Sequence, residues 1–223
     1  MIDGQGATYR PSIREETMLN VTRRSLIAVG LTAILPASMG WSQDAPPVRV
    51  RGTIERIESP IFVVKSRDGA DLKIVLADNA VAVGVVKATL ADIKAGSFVG
   101  IAAMPQADGT QRALEVLIFP EAMRGTGEGH YPWDLQPKST MTNGNVEQTV
   151  TGVDGETLTV KYKDGEKKII VPPGVPIVTF MQGDKADLKP GVKIFIVAAK
   201  KLPDGTLQAA RVNYGKDGLT PPM

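Results

Sequence analysis

The sequence predicts an all-β protein made of two small five-stranded barrels in tandem, and three observations lead there. The first is a repeat with an offset of about 96 positions: Val64-Lys65-Ser66-Arg67-Asp68-Gly69 returns as Val160-Lys161-Tyr162-Lys163-Asp164-Gly165. Leu90-Ala91-Asp92-Ile93-Lys94-Ala95-Gly96 returns one residue out of step as Lys185-Ala186-Asp187-Leu188-Lys189-Pro190-Gly191, and Asp108-Gly109-Thr110 returns as Asp204-Gly205-Thr206. Matched blocks in one order mark an internal duplication. The second observation is alternation of apolar and polar residues, the period of a half-buried strand. The third is that no segment after the amino end sustains a helical period.

The elements follow in order. Val48 to Ile57 alternates apolar with polar residues and reads as the first strand. Ile61–Lys65 and Leu72–Leu76 flank Ser66-Arg67-Asp68-Gly69, a hairpin signal because Asp-Gly tolerates positive φ. Thr89 to Ile93 reads as a turn or a single helical turn before Lys94-Ala95-Gly96. Ser97–Ala103 and Leu114–Phe119 are the last strands of the first copy, joined through Asp108-Gly109-Thr110. In the second copy the strands are Val146–Val150, Thr157–Tyr162, Lys168–Val171, Val192–Ala198 and Gln208–Tyr214, with turns at Asp164-Gly165, Pro190-Gly191 and Asp204-Gly205. Five short strands with one helical turn before the fourth suggest a small barrel of the OB type. An open sandwich of hairpins would show a similar period.

This organisation divides the chain into an N-terminal extension and cleavable signal peptide (1–40), a Pro-rich linker (41–47), repeat 1 (48–119), an inter-repeat loop (120–142), repeat 2 (143–215) and a tail (216–223). Repeats near 70 residues bury only about 60% of their unfolded surface, so mutual packing would support both. Lys and Arg number 26 against 24 Asp and Glu, a formal net charge of +2, which gives no general attraction for nucleic acid or anionic lipid. Aromatic residues are 5% of the chain, too few for the spaced stacking platform of a single-strand binder. Cysteine is absent, which excludes disulfides, thiolate metal sites and a cysteine nucleophile.

At the amino end, Thr22-Arg23-Arg24 precedes the uncharged run Ser25 to Gly40, in the order of a secretory signal. The run is too short and too rich in small residues for a good membrane span. Ser38 and Gly40 suit cleavage after Gly40, with a site nearer Gln43 as the alternative. The arginine pair resembles the twin-arginine export signal, although Ile27 stands where that pattern usually has Leu. Met18 places the arginines nearer the start than Met1 does. The expected address is periplasmic or secreted, with no stable membrane span after cleavage.

The order Gly-x-Val/Ile, strand–Asp-Gly–strand, Asp-Leu/Ile-Lys-x-Gly-x-x-Val and Asp-Gly-Thr resembles an uncharacterised bacterial family of exported OB-like β-repeat proteins, a domain of unknown function. Gly52, Asp68, Gly69, Asp92, Gly96, Asp108 and Gly109 carry the likeness in the first copy. Gly144, Asp164, Gly165, Asp187, Gly191, Asp204 and Gly205 carry it in the second. The resemblance implies a β protein of the cell envelope and supplies no catalytic residue.

Chemistry-bearing residues concentrate in the loop between the copies, which holds His130, the only histidine, and one of two tryptophans. Tyr131 and Trp133 either seal the interface between barrels or offer stacking faces to a ligand, with Arg124 and His130 beside them. Glu121, Glu128, His130 and Asp134 are the residue types that would hold a metal, though one histidine among flexible acids is a weak set. Gly125-Thr126-Gly127-Glu128-Gly129 lacks the Lys-Ser/Thr of a phosphate-binding loop. The recurring aspartates sit in Asp-Gly turns, where they bend or cap backbone. No catalytic constellation and no cofactor are implied. The sequence thus reads as an exported, non-enzymatic binding or interaction module of the cell envelope. Its partner would be an unknown envelope protein or small ligand, and not nucleic acid. The alternative is a small-ligand or metal-binding accessory protein for envelope transport.

Overall fold

The computed structural model describes residues 46–222. The expected signal peptide, its cleavage site and most of the linker lie outside the described residues. Within them the fold is all-β, with twelve strands: β1 (Val48–Glu58), β2 (Ile61–Ser66), β3 (Asp71–Lys87), β4 (Phe98–Pro105), β5 (Gln111–Ile118), β6 (Gly129–Pro132), β7 (Thr140–Gly152), β8 (Gly155–Tyr162), β9 (Gly165–Val171), β10 (Ile177–Gln182), β11 (Lys193–Lys201) and β12 (Leu207–Gly215). Helical structure among these residues is confined to three-residue 3-10 turns. None is long and apolar enough to cross a membrane.

The strands close into two rings of five. The first runs β1–β2–β3–β12–β11 and back to β1, with β3–β12 the one parallel contact. The second runs β7–β8–β9–β5–β4 and back to β7, with β9–β5 parallel. Each ring therefore takes three strands from one half of the chain and two from the other. This differs from barrels built consecutively from 48–119 and 143–215.

The physical reason lies in residues 77–87, which the sequence reading left outside any strand. Ala80 and Ala82 are buried and alternate with the more exposed Asn79, Val81 and Val83, so the strand continues instead of turning back. At about 3.3 Å per residue, the 17-residue β3 carries the chain past its own ring toward the other. β10, also unforeseen, runs antiparallel to the distal end of β3, with Val178 opposite Lys87 and Gln182 opposite Val83. These two segments form the crossing between rings.

Backbone hydrogen bonds repeat the exchange on both sides. The Gly191 amide donates to the Ile54 carbonyl at 2.7 Å, and the Ile54 amide donates to Val192 at 2.9 Å. In the other ring, the Gly96 amide donates to Val146 at 2.7 Å, and the Val146 amide donates to Ser97 at 2.8 Å. Leu188 plugs the first ring, whose core includes Val50, Ile54, Val64, Ile74, Ile194, Ile196, Leu207 and Tyr214. Ile93 plugs the second, beside Val99, Ile101, Val116, Val146, Leu158, Val160 and Ile169. Glycine is required in β1 and β7: a Cβ on Gly52 would lie 2.3 Å from the Lys65 carbonyl oxygen, and one on Gly144 would lie 2.4 Å from that of Lys161.

The hairpins expected to match at Asp68-Gly69 and Asp164-Gly165 are built differently. Four residues, 67–70, join β2 to β3, with Gly69 at φ +89° and Ser66 Oγ accepting from the Ala70 amide. Two residues join β8 to β9, where Tyr162 pairs directly with Gly165.

Candidate functional site

A third apolar cluster fills the seam between the rings. Val85, Leu117, Val178 and Phe195 are buried there, with Phe119, Trp133, Phe180 and Leu219 packed against them. The segment after β5 roofs this seam. The Phe119 amide donates to Phe98, and a short turn follows as Met123 and Arg124 donate to Pro120 and Glu121. Gly125 and Gly127 then adopt φ of +83° and +58°, a left-handed bend that returns the chain toward β7.

β6 pairs with the start of β7, and its alternation decides which side chains face the seam. Tyr131 and Trp133 share one face, meeting edge to face with centroids 6.1 Å apart. The Arg49 guanidinium lies 4.1 Å from the Trp133 ring centroid, a cation–π contact. Trp133, the residue after β6, thus meets β1 of the first ring. His130 stands on the opposite face, where Nδ1 is 2.8 Å from Thr142 Oγ1 and the imidazole stacks on Tyr162 at 6.2 Å. Burial, aided by the nearby Lys167 charge, holds His130 below its ordinary pKa.

The other candidates are tied down locally. Arg124 donates twice to Glu121, at 2.6 Å each, and also to Asn145 Oδ1 and the Gly96 carbonyl. Its guanidinium holds the exposed Glu121 carboxyl below the usual range. Arg124 therefore clamps the roof to β7 and to the turn before β4. Asp134 accepts from Arg51 at 2.9 Å and lies 3.6 Å from Arg49. Burial pushes its carboxyl up, but these two cations outweigh that, and the net direction is down. Glu121, Glu128, His130 and Asp134 do not come together, and no three His, Cys, Asp or Glu side chains gather at a metal-holding spacing among the described residues.

What the fold does assemble is a cavity of about 320 Å³ beneath the roof. Tyr131 and Trp133 line it with Phe119, Phe180, Leu117, Met123, Met141 and Val197; Asn143, Arg49 and Arg211 supply the polar groups. Its volume lies at the lower end of ligand pockets, roughly 300–1,000 Å³. Trp133 Nε1 and Asn143 Oδ1 are buried without a hydrogen-bond partner. Asn143 spends its amide nitrogen on the Thr126 carbonyl at 3.1 Å and Tyr131 Oη at 3.3 Å.

A larger cleft of about 570 Å³ lies between β1, the end of β2 and the tail at Thr220–Pro222. Its cations are already engaged: Lys65 with Asp71, Lys193 with Thr220, and Arg67 with the Leu135 carbonyl.

Of the sequence candidates, Tyr131 and Trp133 line the seam cavity, while Arg124 and His130 face elsewhere. Arg49, Asn143, Phe180 and Arg211 were missed, because β1, β7, β10 and β12 bring them from distant positions. No local signal in the sequence marks them. No family model, curated protein or solved structure matches the chain.

Proposed function

We propose that this protein is a non-enzymatic binding module of the bacterial envelope that holds a small ligand in the seam cavity. The observation that carries the reading is the pairing of an aromatic-lined space with two buried polar atoms, Trp133 Nε1 and Asn143 Oδ1, that lack partners. Buried side-chain donors and acceptors are nearly always satisfied, and an orphaned one costs about 1–3 kcal/mol. A ligand filling the cavity would bury further ring surface. The envelope address rests on the signal-like order of residues 22–40.

We further read the rings as OB-like barrels descended from one duplicated unit. The equivalent glycines Gly52 and Gly144, and the plugs Leu188 and Ile93, support that descent. The resemblance to exported β-repeat proteins points the same way. The reading has each copy contributing its first three strands to one barrel and its last two to the other.

Native mass spectrometry of the protein purified from its own envelope tests the proposal. A retained small molecule is expected, and Val197→Trp, which places a ring at the half-exposed rim, should abolish it. Mass spectra free of any adduct, or an adduct that persists in Val197→Trp, would refute the seam as the site.

A further inference from the structure

We infer that the seam cavity takes an organic anion with a flat apolar body, and that Arg211 holds its charged end. The inference rests on the reading of the seam as a binding site and adds the ligand's chemical class.

Arg211 is half-buried on β12 and lines the cavity. Its partners are soft. Nη2 donates to Met123 Sδ at 3.3 Å, Nε donates to Asn213 Oδ1 at 3.2 Å, and the guanidinium sits 5.3 Å from the Phe180 centroid. Among the described residues no carboxylate pairs with it. Arginine does not shed its proton, so the charge stays. Burial drives its pKa downward, the sign of a cation short of solvent and counter-ion. The second cation, Arg49, differs, because Asp134 lies 3.6 Å from it. No Asp or Glu lines the cavity, so nothing there repels an anion.

The walls restrict the rest of the ligand. Phe119 and Phe180 meet edge to face at 6.0 Å, and Trp133 is also on the lining. Such faces favour a planar apolar body over a hydrated inorganic ion. A thioether is a weak acceptor, so a carboxylate displacing Met123 from Arg211 would exchange it for a charge-assisted, bidentate contact.

A matched pair of probes tests this. Naphthalene-2-carboxylate and its neutral primary amide share one ring system and differ in charge. Calorimetric titration would use protein freed of small molecules by dialysis and checked by native mass spectrometry. The carboxylate should bind at least tenfold more tightly than the amide, as a charged hydrogen bond implies. Arg211→Gln should erase the preference by weakening the carboxylate at least tenfold more than the amide, and Arg211→Lys should retain most of it. If Arg211→Gln does not fold, wild-type protein in high salt provides the check: carboxylate affinity should fall and amide affinity should hold. Equal binding of both probes overturns the anion assignment and leaves the seam as a site. A carboxylate preference that survives Arg211→Gln overturns the role of Arg211. Failure of both probes to bind overturns the seam reading, and this inference with it.

Discussion

Replacing Ile196 with alanine tests the exchange of strands directly. Ile196 is fully buried on β11, in the second half of the chain, yet its backbone partner across the ladder is Val50. The substitution removes three carbons from a close-packed ring interior. Ile→Ala changes cost about 2–5 kcal/mol, and complete burial places this one near 4 kcal/mol. For a protein of this size that corresponds to a loss of about 10 °C in Tm. Hydrogen exchange read by mass spectrometry would show where the loosening falls. Local opening follows cooperative units, so amides of β1, β2 and the first half of β3 should exchange faster together with β11 and β12. Those of β8 and β9, in the other ring, should change least. Faster exchange confined to residues 143–215, with 48–66 untouched, would refute the exchanged arrangement.

Three single substitutions carry the remaining outcomes. Gly52→Ala should cost about 2–3 kcal/mol, because its Cβ would collide with the Lys65 carbonyl at 2.3 Å. Gly69→Ala, at φ +89° in open space, should cost only about 1 kcal/mol, so equal urea midpoint shifts would contradict the geometry. His130 should make stability pH-dependent. Its folded pKa lies below the unfolded value near 6.5, so the unfolded chain takes up the proton first as pH falls. The contribution is complete above about pH 6.5 and is lost as pH drops through the folded pKa. Urea midpoints compared at about pH 7.5 and 5.5 should converge on a flatter profile in His130→Gln, and an unchanged slope would reject the assignment.

Much of the architecture was legible in the sequence because it depends on short-range rules. Alternation in Val48–Ile57 and Thr157–Tyr162 located β1 and β8, and the Asp-Gly-Thr turns placed the ends of β4 and β11. Asp108 and Asp204 indeed accept from the amides of Thr110 and Thr206, as such turns require. Strand partners were a different matter. Asp78 and Asn79 interrupt the apolar run and look like a turn, yet β3 continues through them. Nothing local tells Ile196 to pair with Val50 on β1 rather than with β7, the strand that opens residues 143–215. The site divides in the same way. Tyr131 and Trp133 stood out as aromatic residues two apart in a loop, whereas Arg211 reads as one more polar residue in an alternating strand. Only the closing of the rings gives it Phe180 and Met123 as neighbours.

The exchange also sets an order on synthesis. A chain made from its amino end completes β1, β2 and β3 long before β11 and β12 exist, so the first ring waits until β12 has been made. Meanwhile β1 and β3 present unpaired backbone edges, the hazard that long-range pairing creates during folding. The second ring has no such delay beyond β9, since β4 and β5 precede β7 and stand ready when it emerges. The later half of the fold can therefore close first.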